Sequence, residues 1–368
     1  MSYTFFLLLL TLVHSTFSSL APTDRAALQS IRDSLTDMPG SAFFSSWDFT
    51  VPDPCSSFSG LTCSSLGRVT GLTLGPNLSG SLSPSISILT HLNQLILYPG
   101  SVTGPLPPRF DSLPLLRVIS LTRNRLTGPI PVSFSSLSNL HTLDLSYNQL
   151  SGSLPPFLTT LPRLKVLVLA SNQFSNNLKP VSSPLFHLDL KMNQISGQLP
   201  PAFPITLRMN QFTGAIPSSL FCPTISTMFL QRNNFTSIAT STATSLLPQG
   251  SIVDLSHNSI SGELPPALVG AEALFLNNNR LTGDIPEEYV KSLINGTTKQ
   301  LFLQHNYFTR FPWNSGLQLP DSVSLCLSYN CMETDPVVGL STCPIEVAPL
   351  LSRPASQCSR FYNHSSTG

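Results

Sequence analysis

Charge is what this chain has little of. Asp, Glu, Lys and Arg make up only 10% of its 368 residues, and the net charge is +1. That balance gives no overall electrostatic footprint for nucleic acid or an anionic membrane, which would need clustered Lys and Arg. Long apolar runs are also missing. Phe5 to Val13 spans nine residues, and no later stretch reaches the roughly 18 that would cross a bilayer. The histidines His91, His141, His187, His257 and His305 are scattered without the spacing of metal ligands, and no nucleophile with a base and an orienting group can be read. The expectation is a chain that is not an enzyme. It would have no cofactor, no metal, no nucleic-acid partner and no direct membrane insertion.

Proline (33) and glycine (20) are plentiful, and both recur at fixed offsets. The stretch Leu140 to Pro155, LHTLDLSYNQLSGSLP, shows the unit. LRVISLTRNRLTGPIP precedes it and LKVLVLASNQFSNNLKP follows, placing Asn124, Asn148 and Asn172 at a constant 24-residue interval. Such a turn cannot bury its apolar side alone, so the period predicts a solenoid in which each turn covers the next. The position after each Leu-x-Leu core runs Asn77, Gly100, Asn124, Asn148, Asn172, Asn193, Asn210, Asn233, Asn258, Asn279, Asn306 and Asn330. That is about 12 turns, with Gly100 as the one substitution and a short 17-residue gap between Asn193 and Asn210. An Asn amide can serve the backbone of adjacent turns where a buried bend would leave polar groups unpaired.

Leu143-Asp144-Leu145, Leu188-Asp189-Leu190 and Val253-Asp254-Leu255 alternate inward and outward residues, which predicts one short strand per turn and a parallel sheet on one face. Seven turns then carry Gly-x-Leu-Pro or Gly-x-Ile-Pro, starting at Gly104, Gly128, Gly152, Gly197, Gly214, Gly262 and Gly283. Glycine permits the bend, and proline fixes the next angle without needing a donor.

Residues 1–19 read as a signal peptide, from the short apolar run followed by small polar residues. Residues 20–66 read as an N-terminal cap. Thr23 is the expected helix N-cap, with Ala26, Leu28, Ile31 and Leu35 on one face, and Cys55 and Cys63 are expected to be disulfide-bonded. The array is expected over 67–330, with a cysteine-containing C-terminal cap and tail over 331–368. Cys326, Cys331, Cys343 and Cys358 allow three pairings there, and Cys222 is the expected odd residue, packed inside a turn. Asn77, Asn234, Asn295 and Asn363 lie in glycan-acceptor sequences. Asn77 is set aside because a buried ladder residue could not carry sugar, leaving Asn234, Asn295 and Asn363.

LSGSLP, LTGPIP and LTGDIP, with Trp47…Asp53-Pro54-Cys55…Gly60-x-Thr62-Cys63, resemble the plant-specific class of extracellular leucine-rich repeats. That class includes receptor-kinase ectodomains, receptor-like proteins and polygalacturonase-inhibiting proteins. The resemblance implies an α/β solenoid: a right-handed leucine-rich-repeat superhelix with a concave parallel sheet and disulfide-bonded caps. It also implies a secreted glycoprotein of the extracellular space or cell wall that recognises a protein or peptide on its concave face, in signalling or defence.

With no span and no kinase of its own, such a chain would act through a membrane receptor kinase. The alternatives are an inhibitor of a secreted hydrolase and a polysaccharide-binding wall protein. The inhibitors typically show four cysteines in the N-terminal cap where this chain has two. A pectate binder would want a basic stripe, against which the near-neutral charge argues.

Outward positions on the concave face are small or aliphatic in the early turns (Thr73, Ile96, Ser120, Val168, flanked by Arg123 and Tyr147). Later turns are richer, and His187, Asp189, Lys191, Arg208, Phe229, Arg232, His257, Phe275, Phe302 and His305 are the candidate ligand residues. Outward aromatics among Arg and His suit protein recognition, and Phe229, Phe275 and Phe302 are expected to face solvent in one column. Two irregular segments, Pro204 to Asn210 and the Ser/Thr-rich Ser237 to Gly250, lie in the same half of the chain.

Overall fold

A computed structural model describes residues 19–178, 185–199, 206–223, 226–239, 247–313, 318–332, 343 and 352–365. The expected signal peptide, except Ser19, and the core of the pinched turn at 200–205 fall outside them. Among the described residues, eleven strands and a single bridge at Thr206 stack into a concave parallel sheet. The strands are Val69–Leu74, Gln94–Leu97, Val118–Leu121, Thr142–Asp144, Val166–Val168, His187–Asp189, Thr227–Phe229, Ile252–Asp254, Ala273–Phe275, Gln300–Phe302 and Ser324–Cys326. Thr206 links the two sets by pairing with Asp189 on one side and Phe229 on the other. We number these rungs one to twelve, with Thr206 as the seventh.

The strands form because the Leu-x-Leu core buries alternate side chains. Leu72, Leu95, Ile119, Leu143, Leu167, Leu188, Val253, Leu274, Leu301 and Leu325 are all at most 2% exposed. Each rung then turns sharply. The residue before the ladder position has left-handed φ, from Arg123 (53°) through Tyr147, Met192, Arg232 and His257 to Tyr329 (60°). The ladder Asn holds that bend. Asn148 accepts from Leu126 N–H at 3.0 Å and donates to the Leu121 carbonyl of the preceding rung at 2.8 Å and to Leu145 at 3.1 Å. The same pattern recurs at Asn172, Asn193, Asn279 and Asn306.

Two ladder positions at the start differ. Gly100 is glycine because a Cβ there would lie 2.6 Å from the Leu78 carbonyl oxygen. Asn77 is exposed and takes the left-handed position itself (φ 56°). It is therefore a bend residue rather than a ladder residue, and the burial that set it aside as a glycan acceptor does not exist.

Beyond the bend, a second sheet runs along the flank from Leu35–Asp37 to Asn234–Ile238, and a separate three-stranded set follows at Ser261–Gly262, Arg280–Asp284 and Tyr307–Arg310. The break coincides with the Ser/Thr-rich stretch. All seven motif glycines have positive φ, between 76° and 94°. Among the described residues, short 3-10 turns line the convex side from Pro84–Ile88 to Pro266–Leu268, and on the next turn the helix Glu287–Ile294 takes that place and buries Tyr289.

At the N-terminal cap the first helix is Pro22–Ser34, with Pro22 in its first turn. It begins before Thr23, and it buries Asp24, Ala27, Leu28 and Ile31 while Ala26 is exposed. Asp24, fully buried, receives Arg68 Nη2 at 2.9 Å and Val69 N–H at 2.8 Å, which ties the helix to the first rung. The disulfides are Cys55–Cys63, Cys326–Cys343 and Cys331–Cys358. Cys222 takes part in none of them and is half-buried; its neighbour Phe221 fills the turn.

Candidate concave recognition surface

Strand register aligns one outward residue per rung into a continuous column: Thr73, Ile96, Ser120, Asp144, Val168, Asp189, Thr206, Phe229, Asp254, Phe275, Phe302 and Cys326. Phe229, Phe275 and Phe302 thus share one strand position on rungs eight, ten and eleven. They are half-buried rather than open to solvent. Phe275 and Phe302 meet edge to face, with ring centroids 5.3 Å apart, so each covers part of the other. Cys326, buried and disulfide-bonded, closes the column.

The carboxylates of this column serve the bend. Asp144 accepts from Ser146 N–H and Oγ, and Asp254 does the same with Ser256. Asp189 is only 7% exposed, accepts from Lys191 N–H at 3.1 Å and pairs with Lys191 Nζ at 2.9 Å. Asp189 and Lys191, both candidate ligand residues, are therefore engaged with each other. His187 and Arg232 are exposed, and Arg208 is half-buried.

Two residues past the column lies a second outward row: Arg208, Gln231, Ser256, Asn277 and Gln304. Three of its side chains carry a buried polar atom with no hydrogen-bond partner among the described residues: Arg208 Nε, Gln231 Oε1 and Gln304 Oε1. A buried, unpaired polar group costs about 1–3 kcal/mol. Gln304, 4% exposed, was absent from the candidate residues. Its only sequence signal is its place two residues after an outward Phe, which is no different from that of any other rung.

At the lip of the bend stand His257 and His305. His257 Nε2 lies 3.4 Å from Asn278 Nδ2 on the next rung. Burial holds its pKa below the usual imidazole range, Arg232 adds to that, and Asp254 opposes it. His305 packs on Tyr329, with centroids 4.9 Å apart. Its pKa is also lowered, by burial first and then by Arg353 and His257.

Of the candidate glycan acceptors, Asn234 and Asn295 are exposed, and the Asn363 side chain lies outside the described residues. A hollow of about 440 Å³ lined by Ile238, Ile260, Glu263 and Leu264 opens on the flank, away from the concave face.

Known proteins share this architecture. Residues 21–64 match the family described as "Leucine rich repeat N-terminal domain", and 114–174 and 251–271 match leucine-rich-repeat families. "Leucine-rich repeat protein 1" of Arabidopsis thaliana is 43% identical over 79 residues, which is 21% of this chain and 35% of that protein. Its namesake from Oryza sativa subsp. indica is 46% identical over the same length, 36% of that protein. The match thus spans about a third of these relatives.

Among solved structures, PEPR1–AtPEP1 superposes with a TM-score of 0.71 at 27% identity, covering 84% of this chain and 45% of that one. The Arabidopsis receptor kinase HAESA, in complex with the peptide hormone IDA and the co-receptor SERK1, gives 0.56 at 25% identity, covering 84% and 58%. A plant ice-binding protein gives 0.63 at 25% identity, covering 81% of this chain and all of that one. Fold and matches define the class, a leucine-rich-repeat solenoid, which is typically a recognition scaffold. Within it, this chain is similar to plant leucine-rich-repeat proteins, a receptor kinase among them.

Proposed function

We propose that the protein is a secreted, non-catalytic recognition protein that holds a peptide or an extended protein segment on rungs seven to eleven of its concave face. The observation that carries the reading is local. Gln304 lies two residues after Phe302 of the half-buried Phe275–Phe302 pair, and Gln231 holds the matching place after Phe229 on rung eight. The amide oxygens of both have no donor among the described residues. A peptide backbone supplies N–H donors, and its side chains supply the apolar cover that the two rings lack. The combination of an aromatic anchor with unpaired polar atoms beside it is what a ligand can relieve.

Likeness to ectodomains solved with peptide hormones supports the same reading. Among the described residues no helix is long and apolar enough to cross a membrane. In this reading, signalling or defence runs through a membrane partner, such as a receptor kinase. Capture from plant extracellular fluid on the mature protein, followed by mass spectrometry, tests the proposal. Recovery of a discrete peptide or protein displaced by Phe275→Ala with Phe302→Ala is expected. Recovery of a hydrolase that loses its activity on binding would replace it with an inhibitor.

A further inference from the structure

The near-neutral total conceals an uneven distribution. Residues 67–178 hold seven Lys or Arg against two Asp or Glu, a local excess of five positive charges, whereas the chain as a whole carries +1. The fold lines part of that excess up. Register places Arg117, His141 and Lys165 on consecutive rungs, just before the outward strand residues. The backbone links them directly, His141 N–H to the Arg117 carbonyl and Lys165 N–H to the His141 carbonyl, both at 2.9 Å. All three side chains are exposed, and Arg163 stands beside them, held by Asn139 Oδ1 of the preceding turn. Rungs repeat at about 4.8 Å, so the column is a straight row of basic groups at that interval.

The neighbouring acids form no ion pair with this row among the described residues. Asp144, on the middle rung, turns its carboxylate into Ser146, and Asp111 sits on the 3-10 turn Phe110–Ser112 of the convex side. Arg68, on the first rung, is spoken for by buried Asp24. The contrast further along the same column is direct: on rungs ten and eleven Lys299 meets Glu272 at 3.0 Å. Arg117, Lys165 and Arg163 have no such ion pair among the described residues. The floor next to the row is Val118, Ser120, Thr142, Val166 and Val168, with no aromatic anchor of the kind protein hot spots use.

We infer that rungs three to five form a second binding surface, separate from the Phe275–Phe302 region, for a linear acidic polysaccharide carrying one carboxylate per sugar. A polyanion charged at every sugar can meet Arg117, Arg163 and Lys165 together along this edge. An extended peptide offers same-side groups only every second residue, about 6.6 Å apart, and drifts out of step with the rungs.

The test uses the mature full-length protein with polygalacturonate as probe and a neutral galactan of similar size as control, in a solution binding assay. Polygalacturonate is expected to bind, the galactan is not, and affinity should fall by about tenfold or more between low and high salt as exposed charges are screened. Arg117→Gln, Arg163→Gln and Lys165→Gln together should cut affinity about tenfold or more at an unchanged melting temperature, while Phe275→Ala with Phe302→Ala should leave it unchanged. Should the triple variant unfold, Lys165→Glu alone must still weaken binding. Equal binding of the two polymers, full retention by the variants, or binding of an acidic protein with none of polygalacturonate would overturn the inference.

Discussion

Two halves of one solenoid do different work. Rungs one to five repeat with few exceptions, carry small outward residues, and keep a nearly unbroken hydrogen-bond ladder. Rungs six to twelve include the single-residue bridge at Thr206, the break in the flank sheet after Ile238 and an α-helix where other turns have 3-10 segments. The half-buried aromatics and the unpaired polar atoms also lie there. Regular packing satisfies the polar groups of the strand face, so the outward column of that half offers a ligand little beyond the exposed charges at its edge. Irregular packing leaves specific groups wanting partners, and these are the groups a ligand can satisfy.

Substitutions can break this contrast at several levels. The largest effect is expected at the ladder. Asn148→Ala removes a buried amide that serves Leu126, Leu121 and Leu145, and should cost at least about 3 kcal/mol in chemical denaturation. Asn258→Ala, at a half-buried position in the irregular half, should cost clearly less because water can reach the freed groups. Equal losses would mean that the two halves are equally tight.

A smaller effect is expected from Tyr289→Phe. The Tyr289 hydroxyl donates to the Pro265 carbonyl at 2.6 Å, and burial pushes its pKa well above the usual phenol range. Losing that bond should cost about 1 kcal/mol by thermal or denaturant unfolding.

The smallest effect is with pH. His257 and His305 have folded pKa values below the ordinary imidazole range, so folding favours their neutral forms. Their contribution is present above the unfolded pKa and is lost as pH falls through the folded one. Wild type should therefore lose more melting temperature on mild acidification than a His257→Gln, His305→Gln variant, and parallel curves would sink this assignment.

Much of the fold was legible because a repeat states its geometry many times over. The period, the outward column of Phe229, Phe275 and Phe302, and the Gly-x-Pro bends all follow from residues that recur in place. The errors fall where one residue departs from the repeat. The bend after Leu74 is one residue shorter than its successors, which moves Asn77 out of the ladder and onto the surface. Ion pairing was equally hidden. Asp189 looks like any outward acid until Lys191 is seen to fold back onto it. The row Arg117–His141–Lys165 was invisible to net charge because register, not composition, assembles it. Gln304 shows the limit most clearly, since an unpaired amide is a property of its neighbours and has no motif.

The most direct measurement compares two matched pairs for binding of the ligand recovered from extracellular fluid, alongside melting temperature. Phe275→Ala with Phe302→Ala removes the aromatic pair from the irregular half. Ile96→Ala with Val168→Ala removes outward apolar groups from the same column in the regular half. The first pair should weaken binding by about tenfold or more, as loss of a central aromatic anchor does, and the second should change it by no more than about twofold. If the second pair matched or exceeded the first at unchanged folding, recognition would lie in the regular half and the division of labour drawn here would be wrong.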